Sequence, residues 1–377
     1  MKKTLIFDEQ IAGHHLEYIH HLYMGGLEKI NEDFVFFLSP DFKKVSTNLV
    51  WPTAPNITIK YIADADISKL NKNKLLKSLY LSKILRRISR EYSISHIFLV
   101  SLIQFLPFLP LVLNKRIRVS GIVYLIYLYR WKKSSFLVRV SDLLKYLLLS
   151  RFKIFENIYL LNDSVAPVYL NKKYKTSVFK YLPDPFVPVS VDSIKNLREE
   201  LRIPLDKIVL LHFGALSDRK GTINILKAIA IANENILSHC CFIFAGKVFD
   251  DIKESFYSLT NDLEKHTQIV IFDTFCSYDY IGSLCLTSNY ILMPYKDSEQ
   301  SSGVIGYAAQ FKVPVVGPSV GLLGKLIKKY KLGLLLENCS EIKLKDFING
   351  IYDIDFKVKT SYTEEKTVLL FINTIFR

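Results

Sequence analysis

The sequence predicts an α/β protein made of two doubly wound domains. Three observations carry that expectation: short β-rich runs alternate with helical patterns, the alternation forms two series, and Pro183-Asp-Pro-Phe-Val-Pro separates them. Strands divided by helical stretches imply parallel β-α-β units with helices covering the sheet. Three prolines within six residues mark a boundary, because proline restricts both itself and its predecessor. A length of 377 residues fits two or three domains at about 150 residues each. With 50% hydrophobic and 23% charged residues, disordered and collagen-like classes are excluded.

In the first series, strands are expected at Thr4–Phe7, Phe34–Leu38, Ile57–Tyr61, His96–Leu99, Gly121–Ile126, Asn157–Leu161 and Val178–Tyr181. Helical spacing fits Leu16–Ile30, Asn71–Tyr92 and Phe136–Phe152. The second series places strands at Ile208–Phe213, Cys241–Ala245, Thr267–Ile271, Tyr290–Met293 and Val313–Val316. The tail from Thr363 reads as one amphipathic helix, with Thr363 as cap and Glu364 and Glu365 suiting the positive helix start. Ile97–Leu113 is the most apolar stretch, but it contains Gln104, Pro107 and Pro110. A spanning helix needs about 20 mostly apolar residues, so this stretch reads as a buried strand and a short helix. The start, with three apolar residues before Asp8, is too short for the apolar core of a signal peptide. A cytoplasmic location is expected.

Charge is unevenly spread. The chain carries +14, yet residues 69–153 alone hold 18 Lys and Arg against Glu91 and Asp142, leaving the remainder near neutral. Leu75, Leu76, Leu79, Tyr80, Ile84 and Ile88 recur there at helical spacing between cations, and Arg130-Trp-Lys-Lys-Ser-Ser-Phe-Leu-Val-Arg adds a second basic, apolar stretch. Such faces suit anionic lipid headgroups, making a membrane surface the expected partner of segment 69–153. A solvated face that only maintains solubility is the alternative. No nucleic-acid recognition motif accompanies the charge, and no nucleic-acid partner is expected. Cys240, Cys241, Cys276, Cys285 and Cys339 include no Cys-x-x-Cys pair and read as buried structural thiols, with no metal site.

Ligands of doubly wound sheets bind beyond the carboxyl ends of the strands, and two such domains joined by a proline hinge place a cleft between them. Three loops at strand ends carry candidate chemistry. Ile11-Ala-Gly-His-His follows the first strand: Gly13 permits close backbone approach, and His14 or His15 can donate to a sugar hydroxyl or phosphate. His212-Phe-Gly-Ala-Leu-Ser-Asp-Arg-Lys-Gly-Thr puts Gly214, Arg219 and Lys220 before a helix start. Cations are unfavourable at that positive end unless an anion joins them, so a diphosphate is expected between Lys, Arg and main-chain N–H groups. Met293-Pro-Tyr-Lys-Asp-Ser-Glu-Gln-Ser-Ser-Gly-Val offers N–H groups at Ser301, Ser302 and Gly303, with Glu299 to accept from sugar hydroxyls.

With Phe213-Gly-Ala-Leu-Ser-Asp-Arg-Lys-Gly, Phe244-Ala-Gly, Met293-Pro-Tyr, Glu299-x-x-Ser-Gly-x-x-x-Tyr-Ala-Ala and Val313-Pro-Val-Val-Gly in order, the chain resembles GT-B glycosyltransferases, in particular the retaining family 4 enzymes. The motifs span about Ile208 to Leu336. The resemblance implies two Rossmann-like domains: an acceptor-binding domain at 1–183, a nucleotide-sugar-binding domain at 184–360, and a terminal helix, 361–377, packing back on the first. It gives Lys220 the donor diphosphate, with Arg219 as a second cation, and Glu299 the donor sugar hydroxyls. It places Ser302, Gly303 and Val304 at the phosphate. The chain departs from the family at Ala215, where a basic ligand is usual, and at Tyr307, which stands where a ribose-binding Glu is usual.

What the resemblance implies for function is a hexosyl-type transferase using a UDP- or GDP-linked sugar as substrate. The acceptor would be a glycan or lipid-linked molecule in cell-surface polysaccharide synthesis, with retained configuration and neither metal nor other cofactor. The two departures motivate an alternative, a non-catalytic scaffold that binds nucleotide sugar or lipid beside an active transferase. An epimerase would need cleft carboxylates that the sequence does not identify.

Overall fold

A computed structural model describes residues 2–11, 13–46, 49–70 and 73–376. They divide into two compact units, Met1–Pro185 with Val368–Arg377, and Phe186–Thr367. The expected helix start at Asn71 and the loop residue Ala12 lie outside the described residues.

The first unit is built on seven parallel strands: β1 (Lys2–Asp8), β2 (Glu32–Leu38), β3 (Ile57–Tyr61), β4 (His96–Leu99), β5 (Arg118–Val123), β6 (Phe155–Leu161) and β7 (Phe179–Leu182). Their order is β3-β2-β1-β4-β5-β6-β7. Alternate residues of β1, β2 and β4 enter two cores on opposite faces: Leu5, Val35, Ile97 and Leu99 on one, Ile6, Phe34, Phe36 and Phe98 on the other. That double burial explains why these strands read as continuous apolar runs rather than as alternating ones.

The second unit repeats the plan with six parallel strands: β8 (Ile208–Phe213), β9 (Cys240–Ala245), β10 (Gln268–Phe272), β11 (Tyr290–Leu292), β12 (Val315–Pro318) and β13 (Gly333–Leu336). The order β10-β9-β8-β11-β12-β13 reverses direction between β8 and β11, the topological switch point where such sheets open a ligand crevice at their carboxyl edge.

Several expectations need correction, and one strand was not expected. The strand expected at Gly121–Ile126 begins at Arg118, whose N–H bonds Ser95 as β5 registers against β4, and it ends at Val123. Strand β13 escaped sequence reading because Gly333-Leu-Leu-Leu is too short to show a period. The tail is two helices, Tyr362–Glu365 and Val368–Ile375, and Thr363 lies inside the first rather than capping it. Lys366 breaks it: its side chain is buried beside the Tyr330 and Tyr362 rings and its carbonyl accepts the Phe186 N–H. Of the cysteines, Cys240, Cys241 and Cys285 are buried, whereas Cys276 and Cys339 are half-buried.

The helix Lys74–Glu91 also corrects the reading of its apolar stripe. Leu81, Ile84, Leu85 and Ile88 are buried in the first unit's core, and only Leu75 and Leu76 at its start are exposed. The 3.6-residue period is the same whether the stripe meets a core or a membrane. Exposed apolar surface lies instead on the helix Phe136–Arg151, where Phe136 is 76%, Leu137 78% and Leu144 54% exposed. Val140 and Leu147 share that face at helical spacing, and Arg139, Arg151, Lys132 and Lys133 lie on or beside the helix. No helix among the described residues is long and apolar enough to cross a membrane.

Candidate functional site

The carboxyl ends of β8 and β11 hold the residues that the motifs single out. Strand β8 ends at Phe213; the chain then passes Gly214, makes a 3₁₀ turn at Asp218–Lys220 and enters the helix Thr222–Ala230 through Gly221. Gly214 has φ +97°, and a Cβ there would stand 2.7 Å from the Lys220 ammonium nitrogen. The lysine thus lies directly over the bare Cα that the motif's glycine provides. Gly221, at φ +74°, faces the Pro294 carbonyl oxygen, which a Cβ would meet at 2.1 Å. The two glycines therefore allow the β8 loop to close onto both its own lysine and the β11 loop.

His212, near the end of β8, is 1% exposed and fixes the base of this loop. One ring nitrogen, Nδ1, lies 2.8 Å from the Leu292 carbonyl, and Nε2 lies 3.0 Å from the Thr222 hydroxyl, which also accepts the Ser217 N–H at 3.1 Å. A carbonyl only accepts, so Nδ1 carries the proton and Nε2 accepts from Thr222. Burial holds the ring's pKa down at about 4, and the Lys220 charge pushes in the same direction. The imidazole is therefore a neutral tie between β8, β11 and the helix start. Nothing in the sequence alone assigns His212 this role.

From β11, Tyr295 links the two loops. Lys220 Nζ stands 5.1 Å from the centroid of its buried ring, a cation–π contact. The Tyr295 hydroxyl lies 3.4 Å from Ser302 Oγ. Next along the chain, the Lys296 N–H bonds the Arg219 carbonyl at 3.0 Å, and its ammonium pairs with Asp218 at 2.5 Å. Lys220 is half-buried and Arg219 exposed. Glu299 is 6% exposed, an unusual setting for a carboxylate, since burying the charge is costly without partners. Ser301, Ser302 and Gly303 are half-buried and precede the helix Val304–Phe311, whose first N–H groups have no intrahelical acceptor by helix geometry.

Tyr307 sits on that helix and is edge-packed by Phe213 and Phe186, each with ring centroids 5.6 Å away. The ring thus fills space beside the end of β8. Lys220, Gly214, Tyr295, Ser302 and Tyr307 form one connected set in the second unit, joined through Tyr295 and Phe213. Tyr295 and Phe186 were not foreseen as site residues, because their contacts join positions far apart in sequence.

In the first unit, Gly13 has φ +70° and is exposed, and His14 is exposed beside Glu17, 3.2 Å away. The chemistry concentrates one residue further on. His15 Nδ1 lies 2.6 Å from the Asp8 carboxylate, which is 2% exposed and whose pKa burial raises against the pull of His15. The Tyr18 hydroxyl donates to Asp184 at 2.5 Å, and its ring stacks on Tyr124. Asp8 is the last residue of β1, and Tyr124 and Asp184 follow the ends of β5 and β7, so this cluster occupies the carboxyl edge of the first sheet. Asp184 was legible only as part of the proline boundary, and Asp8 only as the residue after a strand.

Residues 193–365 match a family model described as glycosyl transferases group 1. No curated protein matches the chain. Among solved structures, HepE of Anabaena in complex with UDP-glucose is similar, with TM-score 0.68 and 16% identity over 100% of this chain and 98% of its own. WaaG, a glycosyltransferase involved in lipopolysaccharide biosynthesis, is similar with TM-score 0.65 and 14% identity, over 93% of this chain and 90% of its own. A UDP-forming α,α-trehalose-phosphate synthase from Burkholderia vietnamiensis is similar with TM-score 0.66 and 10% identity, over 100% and 99%. These likenesses establish the fold as GT-B.

Proposed function

We propose that this chain, a glycosyltransferase by its group 1 domain at residues 193–365 and its GT-B fold, moves a sugar from a nucleoside-diphosphate donor to a glycan or lipid-linked acceptor. The observation that carries the reading is Lys220, held over Gly214 and the Tyr295 ring beside two helix starts. There its ammonium, the Arg219 guanidinium and main-chain N–H groups would hold the donor diphosphate and stabilise the negative charge that develops as the glycosidic bond breaks. Buried Glu299 would accept from the donor sugar hydroxyls. Tyr307 would meet the ribose as a phenol where a carboxylate is usual, with Ser301, Ser302, Gly303 and Val304 at the phosphate. In the first unit, Gly13 and His14 would offer a main-chain N–H and an imidazole to a sugar or phosphate oxygen.

We assign the reaction to the retaining, family 4-like class, with charge stabilisation by the cation and N–H cradle rather than by a metal. Cell-surface polysaccharide synthesis on the cytoplasmic side of a membrane is the setting the acceptor class suits. Two features support peripheral attachment there: the basic balance of residues 69–153 and the exposed apolar face of the helix Phe136–Arg151.

The test is sugar transfer from a panel of UDP- and GDP-linked donors by wild type, Lys220→Ala and Glu299→Ala, with folding checked by circular dichroism. Both variants are expected to fold and to lose transfer; full activity in both overturns the assigned roles. Ala215 and Tyr307 favour one second reading, a binding scaffold. Tight UDP or GDP binding with no turnover of any donor, including hydrolysis, would select it.

A further inference from the structure

A cavity of about 640 Å³ opens in the first unit, lined among others by Arg86, Arg90, Lys115 and Arg116. Its lining segments, Ser93–Ser95 and Asn114–Ile117, immediately precede β4 and β5. In a parallel sheet this is the amino-terminal edge, the opposite end from Asp8, Tyr124 and Asp184. We propose that this cavity is a separate binding site for a phosphate-bearing anion, either a phosphomonoester or a diphosphate.

Three observations carry the proposal. Arg86 and Arg90 stand one turn apart on the helix Lys74–Glu91, and Lys115 and Arg116 come from the loop across the cavity, so four cations from two elements share one concavity. Among the described residues, none of the four has a carboxylate within 4.0 Å. The neighbouring acid, Glu91, takes a hydrogen bond from the Tyr92 side chain instead. Like charges gathered in a concave surface focus a positive potential that an anion relieves.

Ser89 is the second observation. It lines the cavity and is 4% exposed, and its hydroxyl is buried with no hydrogen-bond partner. Buried hydroxyls are nearly always satisfied, and a missing partner calls for an explanation. A phosphate oxygen among the arginines would supply the acceptor once the Ser89 hydroxyl turns towards the cavity that its residue lines. Attraction to the negative helix end accounts for Arg90 alone; it does not account for Lys115, Arg116 or the unsatisfied Ser89.

The third is the wall chemistry. Leu111, 67% exposed, and Leu113 flank the cations, so the cavity accepts an anionic group with an apolar attachment. A phosphate has enough oxygens and charge to engage several of these cations at once, each arginine as a two-pronged fork and the lysine as a point charge. The phosphate can belong to a soluble ester or to a lipid headgroup.

Calorimetry with inorganic pyrophosphate on the full chain tests the site. It is run in a Lys220→Ala background to remove the proposed donor site. One pyrophosphate is expected to remain bound, and adding Arg86→Gln and Arg116→Gln should weaken it by about tenfold or more per arginine. Ser89→Ala should weaken binding several-fold while leaving the ligand-free Tm unchanged or higher, since it deletes an unsatisfied hydroxyl. A second arm uses phosphatidylcholine vesicles containing phosphatidic acid. Loss of vesicle binding in the arginine variant together with displacement by pyrophosphate assigns the lipid source; vesicle binding insensitive to both assigns the soluble one. Absence of pyrophosphate binding in the Lys220→Ala background, or binding indifferent to all three substitutions, overturns the proposal.

Discussion

Gly214→Ala separates the catalytic use of Lys220 from any structural one. The added methyl group would lie 2.7 Å from Lys220 Nζ, and the backbone would keep φ +97°. The steric conflict is with the far end of a flexible side chain, so the ammonium moves and the loop remains. Backbone strain at such a φ costs about 1–3 kcal/mol, small enough for the unit to stay folded. The displaced ammonium forfeits a charge-assisted bond to the diphosphate worth about 1.5–3 kcal/mol, or roughly 10- to 150-fold in UDP affinity. Calorimetric titration with UDP reads the affinity and urea unfolding reads the strain. The decisive comparison is the double variant with Lys220→Ala: once the lysine is gone the extra methyl should cost UDP nothing further, so the two losses must be strongly non-additive. Wild-type UDP affinity in Gly214→Ala, or losses that sum, would refute the placement of the donor over this glycine.

Three further outcomes follow from the same geometry. Gly221→Ala directs its methyl group at the Pro294 carbonyl oxygen, 2.1 Å away and part of the backbone; unlike Gly214→Ala it should destabilise by roughly 3 kcal/mol or more in urea. The His212 imidazole titrates near 6.5 when unfolded and at about 4 when folded. Its contribution is therefore full above pH 6.5 and is lost as pH falls towards 4, about 3 kcal/mol in all; His212→Asn should flatten the stability profile across that window, while His21, shifted the same way, contributes equally to both proteins. Leu137→Asp with Leu144→Asp, both on exposed positions of the helix Phe136–Arg151, should leave Tm within about a degree or two yet release the protein from anionic vesicles, each lost leucine weakening partition by about tenfold or more.

Local features were legible in the sequence, and features made by distant contact were not. Strand β8 and the loop carrying Gly214 and Lys220 could be read because their meaning resides in adjacent residues: an apolar run, a glycine, two cations and a helix start. The support of Lys220 by Tyr295, the packing of Tyr307 between Phe186 and Phe213, and the pairing of Tyr18 with Asp184 bring together residues from different strand ends. Single-sequence periodicity has no access to such pairs. The helix Lys74–Glu91 illustrates the other limit: its apolar stripe was visible, but the stripe alone does not say whether protein or lipid covers it. In the tail, the split at Lys366 was hidden because a lysine normally signals solvent, and here its ammonium lies against two tyrosine rings.

The helix Val368–Ile375 belongs to the first unit although the whole second unit precedes it in the chain. Phe371 is fully buried against Tyr18, Phe376 meets Phe34 edge-on, and the Tyr159 hydroxyl donates to the Thr374 carbonyl. During synthesis, the unit that emerges first from the ribosome must therefore wait, with one side of its core uncovered, until the other has been translated in full. The later-made half is free to reach its native state ahead of the earlier one, which makes the order of maturation the reverse of the order of translation.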